Sequence, residues 1–136
     1  MQKLKPIIAL AFFAAVSISE QAAASGCENA ATQIEINLCM KEELERADKA
    51  LSVALSTATE FLSNLDKQSE AAAGAQSRVD VLSLAQKSWA SFRDAHCKLA
   101  GLEYAGGSIQ PLIINECKAK LARQRMEQLL LIAVEK

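Results

Sequence analysis

Four cysteines, at positions 27, 39, 97 and 117, and one histidine, His96, are the side chains of this 136-residue sequence best suited to covalent or metal chemistry. An even cysteine count in a small chain that carries an export signal reads as two disulfides. Zinc sites usually pair cysteines at two-residue spacing. Here the cysteines are far apart and His96 is the sole imidazole, so no metal site is expected. No Cys-x-x-Cys-His run offers haem attachment, and no ligand set for any other cofactor stands out. His96 has no serine or cysteine nucleophile at a recognisable spacing, and thiols committed to disulfides cannot attack a substrate. No catalytic residue is assigned, and His96 reads as a half-buried packing histidine.

The densest group of informative residues is Trp89, Phe92, Arg93, Asp94 and Cys97. Leu82, Ala85, Trp89, Phe92 and His96 recur at three- and four-residue steps, which places them on one face of a helix and predicts that this face turns inward. Arg93 and Cys97 fall on its flank. A guanidinium stays charged, so beside an apolar face it needs a carboxylate partner. Trp89, Phe92, Arg93 and Asp94, with Asp48 earlier in the chain, are therefore assigned structural roles.

The chain opens with a basic start (Lys3, Lys5), an apolar run over 7–16 and the small residues Ala22, Ala23, Ala24 and Ser25. That three-part design predicts a signal peptide over 1–24, leaving a single domain over 25–136 and an exported, periplasmic or secreted protein. The apolar run is too short for a membrane span, which takes about 20 residues, and no later stretch is long enough. Cleavage removes Lys3, Lys5 and Glu20, which takes the 15 basic and 16 acidic residues to 13 and 15 and leaves no basic face for nucleic acid. The residues before Cys27 loosely resemble a lipobox. The polar Ser19, Glu20 and Gln21 separate them from the apolar run, so free export is favoured over lipid anchoring at Cys27.

Strand signals are nearly absent, and the fold class is all-α: a small up-down bundle of about three helices stapled by two disulfides. Thr32 and Glu35 form a capping-box pattern at the start of the first helix, whose apolar stripe runs from Ile36 through Met40, Leu44, Ala47, Leu51, Leu55, Ala58 and Leu62 to Leu65. Glu42, Glu43, Glu45 and Asp48 lie mostly off that stripe, as a solvated face or as a surface for a basic partner. A turn is expected over 64–75, where 64–69 breaks the stripe and the alanine-rich run 71–75 has little apolar bulk to anchor it. The second helix reads from about Gln76 to Ala100, with Gly101 just past its end. Tyr104 and the pair Gly106 and Gly107 make a loop, Ser108 suits the N-cap of the third helix, and Pro111 falls in its first turn. That helix ends near Val134 in a stretch, 129–134, that is apolar on every side. It is expected to be buried or to pair with another chain, a possible homodimer contact.

Three pairings of four cysteines exist. A hairpin turn centred near Gln68 would set Cys39 level with Cys97 and bring Cys117 back to Cys27. Exchanging those partners, Cys27 with Cys97 and Cys39 with Cys117, is the close rival.

The set Cys27, Thr32, Gln33, Glu35, Asn37, Cys39, Ala47, Asp48, Leu51, Ala85, Gln86, Trp89, Phe92, Arg93, Asp94, Cys97, Gly106, Gly107, Ser108, Cys117 and Arg125 resembles the LprI-like lysozyme-inhibitor family over nearly all of the exported chain. Ser52, Leu55 and Ala122 depart from its pattern, where asparagine, an aromatic residue and threonine are common. The resemblance implies a non-enzymatic binding protein that blocks a muramidase such as lysozyme. The other class considered is a periplasmic adaptor that binds a protein partner through the apolar third helix. Lysozyme clefts are concave and hold two carboxyl groups, so a blocker needs a protruding segment that offers hydrogen-bond donors. Tyr104, Gly106, Gly107 and Ser108 are the partner-binding candidates.

Overall fold

Thr32 sets the start of the first helix. Its backbone is extended (φ −115°, ψ 155°), its hydroxyl accepts from the Glu35 amide, and the Glu35 carboxylate accepts from the Thr32 amide in return. Two amide donors that the helix geometry leaves unpaired are thereby satisfied. The computed structural model describes residues 27–69 and 76–134. The signal peptide expected over 1–24 and the alanine-rich connection at 71–75 lie outside the described residues.

Helix α1 spans Gln33–Gln68, α2 spans Arg78–Gly101, a 3-10 turn covers Leu102–Tyr104, and α3 spans Gln110–Val134. No strand occurs among the described residues. The first part of the turn expected over 64–75, up to Gln68, is instead the last turn of α1. The physical reason is a cap made from both sides of the connection. The Ser69 amide bonds to the Leu65 and Asp66 carbonyls, while the Asp66 carboxylate accepts from the Ser77 hydroxyl, the Arg78 and Val79 amides and the Arg78 guanidinium. One carboxylate thus serves the positive N-terminal end of α2 and ties it to the end of α1.

The core is an alanine seam. Ala47, Ala54 and Ala58 of α1 and Ala119 and Ala122 of α3 are all buried, with Leu51, Leu82 and Leu129 around them. Small side chains let two helices approach closely, and α1 packs chiefly on α3, less on α2. Leu44, Leu55, Leu62, Trp89, Met126 and Ile132 close over the seam from its edges.

The buried face of α2 is rotated relative to the sequence expectation. Leu82, Cys97 and Gly101 are buried and Trp89 is half-buried, whereas Ala85, Phe92 and His96 are exposed. Two contacts fix the rotation. Cys97 is bonded to Cys117 of α3, and a Cβ on Gly101 would lie 2.5 Å from Cγ1 of Ile114, so that position must be glycine for α3 to close on α2. Phe92 and His96 then face solvent and stack on each other at 5.2 Å. Gly101 is accordingly the last helical residue (φ −78°) and not a residue beyond the end. The left-handed backbone conformation falls at Gly106 (φ 79°). Ser108 is one residue too early to cap α3, which begins at Gln110.

Both disulfide pairings expected from the sequence are wrong: the bonds are Cys27–Cys39 and Cys97–Cys117. The expected turn centre near Gln68 was misplaced. With α1 continuing to Gln68 and α2 starting at Arg78, Asn37 lies across from Ser108, and the two make a hydrogen bond. Cys39 is therefore roughly 15 Å along the axis from Cys97, at a rise of about 1.5 Å per residue. The level rule does hold for the other hairpin, where Cys97 and Cys117 are equally far from Gly107. Cys27 folds back onto its own helix start.

Candidate functional site

The end of the bundle that carries the α2–α3 connection presents an exposed segment, residues 102–108. Its backbone is held from within and from below. The Ala105 amide bonds to the Leu102 carbonyl and the Gly107 amide to the Tyr104 carbonyl at 2.9 Å. The Gly106 amide donates to Oε1 of Gln110, and Nδ2 of Asn37 donates to the Ser108 carbonyl at 2.8 Å. Gln33 holds the Asn37 carboxamide in place through Oδ1. Open space surrounds the position where Gly106 would carry a Cβ, so another molecule's backbone can approach there. Tyr104 and Ser108, both exposed residues that carry hydroxyl donors, flank it in the chain. The four sequence candidates, Tyr104, Gly106, Gly107 and Ser108, thus share one loop. Asn37 and Gln110, which anchor that loop, carry no sequence signal that marks them as site residues. Asn37 did belong to the family-like set, but only the fold shows what its carboxamide reaches.

The structural residues converge on one side of the bundle. Arg93 of α2 is mostly buried, pairs with the Asp48 carboxylate of α1, and lies over the Trp89 ring at 5.0 Å. Its Nε makes no hydrogen bond and sits 3.6 Å from Oδ1 of Asp94, which in turn pairs with Lys118 of α3 at 3.0 Å. All three helices are therefore cross-linked by charge at this level. Arg125 of α3 donates to the side-chain oxygens of Gln86 and Gln128, and burial holds its guanidinium below its ordinary value. The acidic run on α1 is largely neutralised by pairing: Glu45 with Lys41, Glu42 and Glu43 with Arg46, and Glu43 also with Arg123.

In the last turns of α3, Leu129 is fully buried and Ile132 packs on the core, whereas Leu130, Leu131 and Val134 are exposed. Among the described residues, no helix is long and apolar enough to cross a membrane. His96 lines an open cleft between α2 and α3 with Glu116, Lys120 and Gln124.

Fold and surface together define a class: a disulfide-stapled, all-α domain that presents one braced loop at the end of its bundle. The family model for lysozyme inhibitor LprI matches residues 24–129. The chain belongs to that family, which is an inhibitor family and not a catalytic one. An uncharacterized protein of Rhizobium meliloti (strain 1021) is 29% identical over 133 residues, covering 95% of this chain and 94% of its own. No solved structure matches.

Proposed function

We propose that this is an exported, non-enzymatic protein of the periplasm that inhibits a lysozyme-type muramidase by placing the loop 104–108 at the enzyme's cleft. The observation that carries the proposal is the braced, exposed loop on a member of a lysozyme-inhibitor family. A loop already held in one conformation loses little entropy on binding, so more of its contact energy appears as affinity. Hydroxyls of Tyr104 and Ser108 supply donors to the paired carboxyl groups that glycoside hydrolases use. Cys27 is bonded to Cys39, so its sulfur is not available for the thioether of a lipid anchor, which supports free export over anchoring.

The test is a lysis assay with oxidised protein added in excess to lysozyme and bacterial cells. Wild-type protein slows lysis, and Tyr104→Ala combined with Ser108→Asp abolishes the effect while leaving helix content and melting temperature nearly unchanged, because both side chains are exposed. Ser108→Asp is chosen over a change at Gly107, where a Cβ would crowd the Tyr104 carbonyl at 3.2 Å. Full inhibition by the double variant refutes the loop as the contact. Absence of inhibition by the wild-type protein refutes the function and leaves the adaptor role of α3, with its exposed Leu130, Leu131 and Val134.

A further inference from the structure

Once α2 is turned so that Cys97 and Gly101 face α3, its solvent side carries an apolar stripe along the whole helix and into the 3-10 turn. Val81, Leu84, Phe92, Leu99 and Leu102 are each between 45% and 64% exposed. With the exposed Ser88 and Ala95 between them, they recur at three- and four-residue steps, the spacing of a seam that accepts another helix. The order is also symmetric. Val81 and Leu102, Leu84 and Leu99, and Ser88 and Ala95 are each equally distant from the point between Ser91 and Phe92. A two-fold contact requires that one patch be complementary to itself, and an antiparallel helix pair meets this only when its seam reads the same from both ends.

We infer that this face of α2 is a homodimer interface, in which α2 of one protomer packs antiparallel on α2 of a second copy with the two-fold axis at Ser91 and Phe92. Leu84 then meets the second copy's Leu99, Val81 meets its Leu102, and the two Phe92 rings meet near the axis. The five exposed apolar side chains offer on the order of 500 Å² per protomer, so the pair buries about 1,000 Å², the lower bound for a specific interface and the size of a reversible one. The pairing places the two loops 104–108 at opposite ends of the dimer. The dimer therefore does not depend on the inhibitor function.

Sedimentation equilibrium of the oxidised, exported protein over a range of concentrations tests the inference. Wild-type protein shows a reversible monomer–dimer equilibrium. Leu84→Glu or Leu99→Glu, each felt twice across the axis, weakens dimerisation by ~100-fold or more, about two steps of 1.4 kcal/mol. Leu130→Glu with Leu131→Glu, on the exposed end of α3, leaves the equilibrium unchanged. Circular dichroism checks that each variant is folded, as the substituted positions are exposed. A register check uses an amine cross-linker on mixed 14N and 15N protein, where Lys87 of one copy and Lys98 of the other lie nearly level and give a mixed-isotope link. A monomer at every concentration, a dimer insensitive to the α2 variants, or a dimer lost only in the α3 variant overturns the inference.

Discussion

Gly101→Ala isolates the contact that turns α2 toward α3. In an exposed helix this substitution stabilises by about 1 kcal/mol, because alanine has less backbone freedom to lose. Here the new methyl would meet Ile114 at 2.5 Å (Cγ1) and 2.8 Å (Cδ1), well inside van der Waals contact. Relief by rotating Ile114 is restricted, since a β-branched side chain in a helix has one strongly preferred χ1 rotamer. Relief by sliding the helices is restricted too, because Cys97 and Cys117 are bonded one turn away. Overpacking of this kind costs about 1–3 kcal/mol, and the close approach of two consecutive side-chain carbons places it at the upper end. The net expectation is a loss of ~2 kcal/mol, a fall of about 8 °C in melting temperature at an unfolding entropy of about 2.1 cal/mol/K per residue. Ile114→Ala removes both clashing carbons. In that background Gly101→Ala becomes neutral or stabilising, so the sign of its effect reverses. The assay is thermal and urea unfolding of the four proteins of the cycle, all oxidised, which gives the coupling energy directly. A Gly101→Ala protein that melts higher than wild type, or a cycle with no coupling, would show that α3 does not close on Gly101.

Peptide mapping of the oxidised protein should recover Cys27 with Cys39 and Cys97 with Cys117. Replacing either pair by serine should cost about 3 kcal/mol from the loop each bond closes. Asp66 supplies an acid-sensitive tie. Partial desolvation opposes its ionisation, but the hydrogen bonds from Arg78, Val79 and Ser77 outweigh that and lower its carboxyl from 3.8 to about 2. Because the folded value lies below the unfolded one, the stabilisation is complete by about pH 5 and is lost progressively as pH falls from there through about 2. Asp66→Asn should therefore flatten the melting temperature over that interval relative to wild type, measured by circular dichroism in low salt. Asp48→Ala should cost about 2 kcal/mol in urea unfolding, as it leaves the mostly buried Arg93 guanidinium without its carboxylate while Asp48 itself is partly solvated. A loss below a few tenths of a kcal/mol would assign Arg93 to Asp94 instead.

Local chemistry was readable from the sequence alone. The Thr32 and Glu35 capping box, the stripe from Met40 to Leu62, the near absence of strand signals and the glycine pair of the loop depend on residues a few positions apart, and each is found. The candidate loop was legible for the same reason, since two adjacent glycines between helical segments leave few alternatives to an exposed turn. What required the tertiary structure is every choice between faces that local spacing leaves equivalent. On α2, Leu82, Ala85, Phe92 and His96 and the competing set Leu82, Trp89, Arg93 and Cys97 are both helically spaced. The disulfide to Cys117 and the close approach of Ile114 to Gly101 select the second. The cysteine pairing was decided by the axial register of the helices: moving the turn centre from Gln68 to midway between Gln68 and Arg78 shifts opposed positions by about ten residues, roughly 15 Å. Such register comes from contacts between separate segments, Asn37 to Ser108 across 71 positions and Asp66 to Arg78 across 12, and no local pattern encodes it.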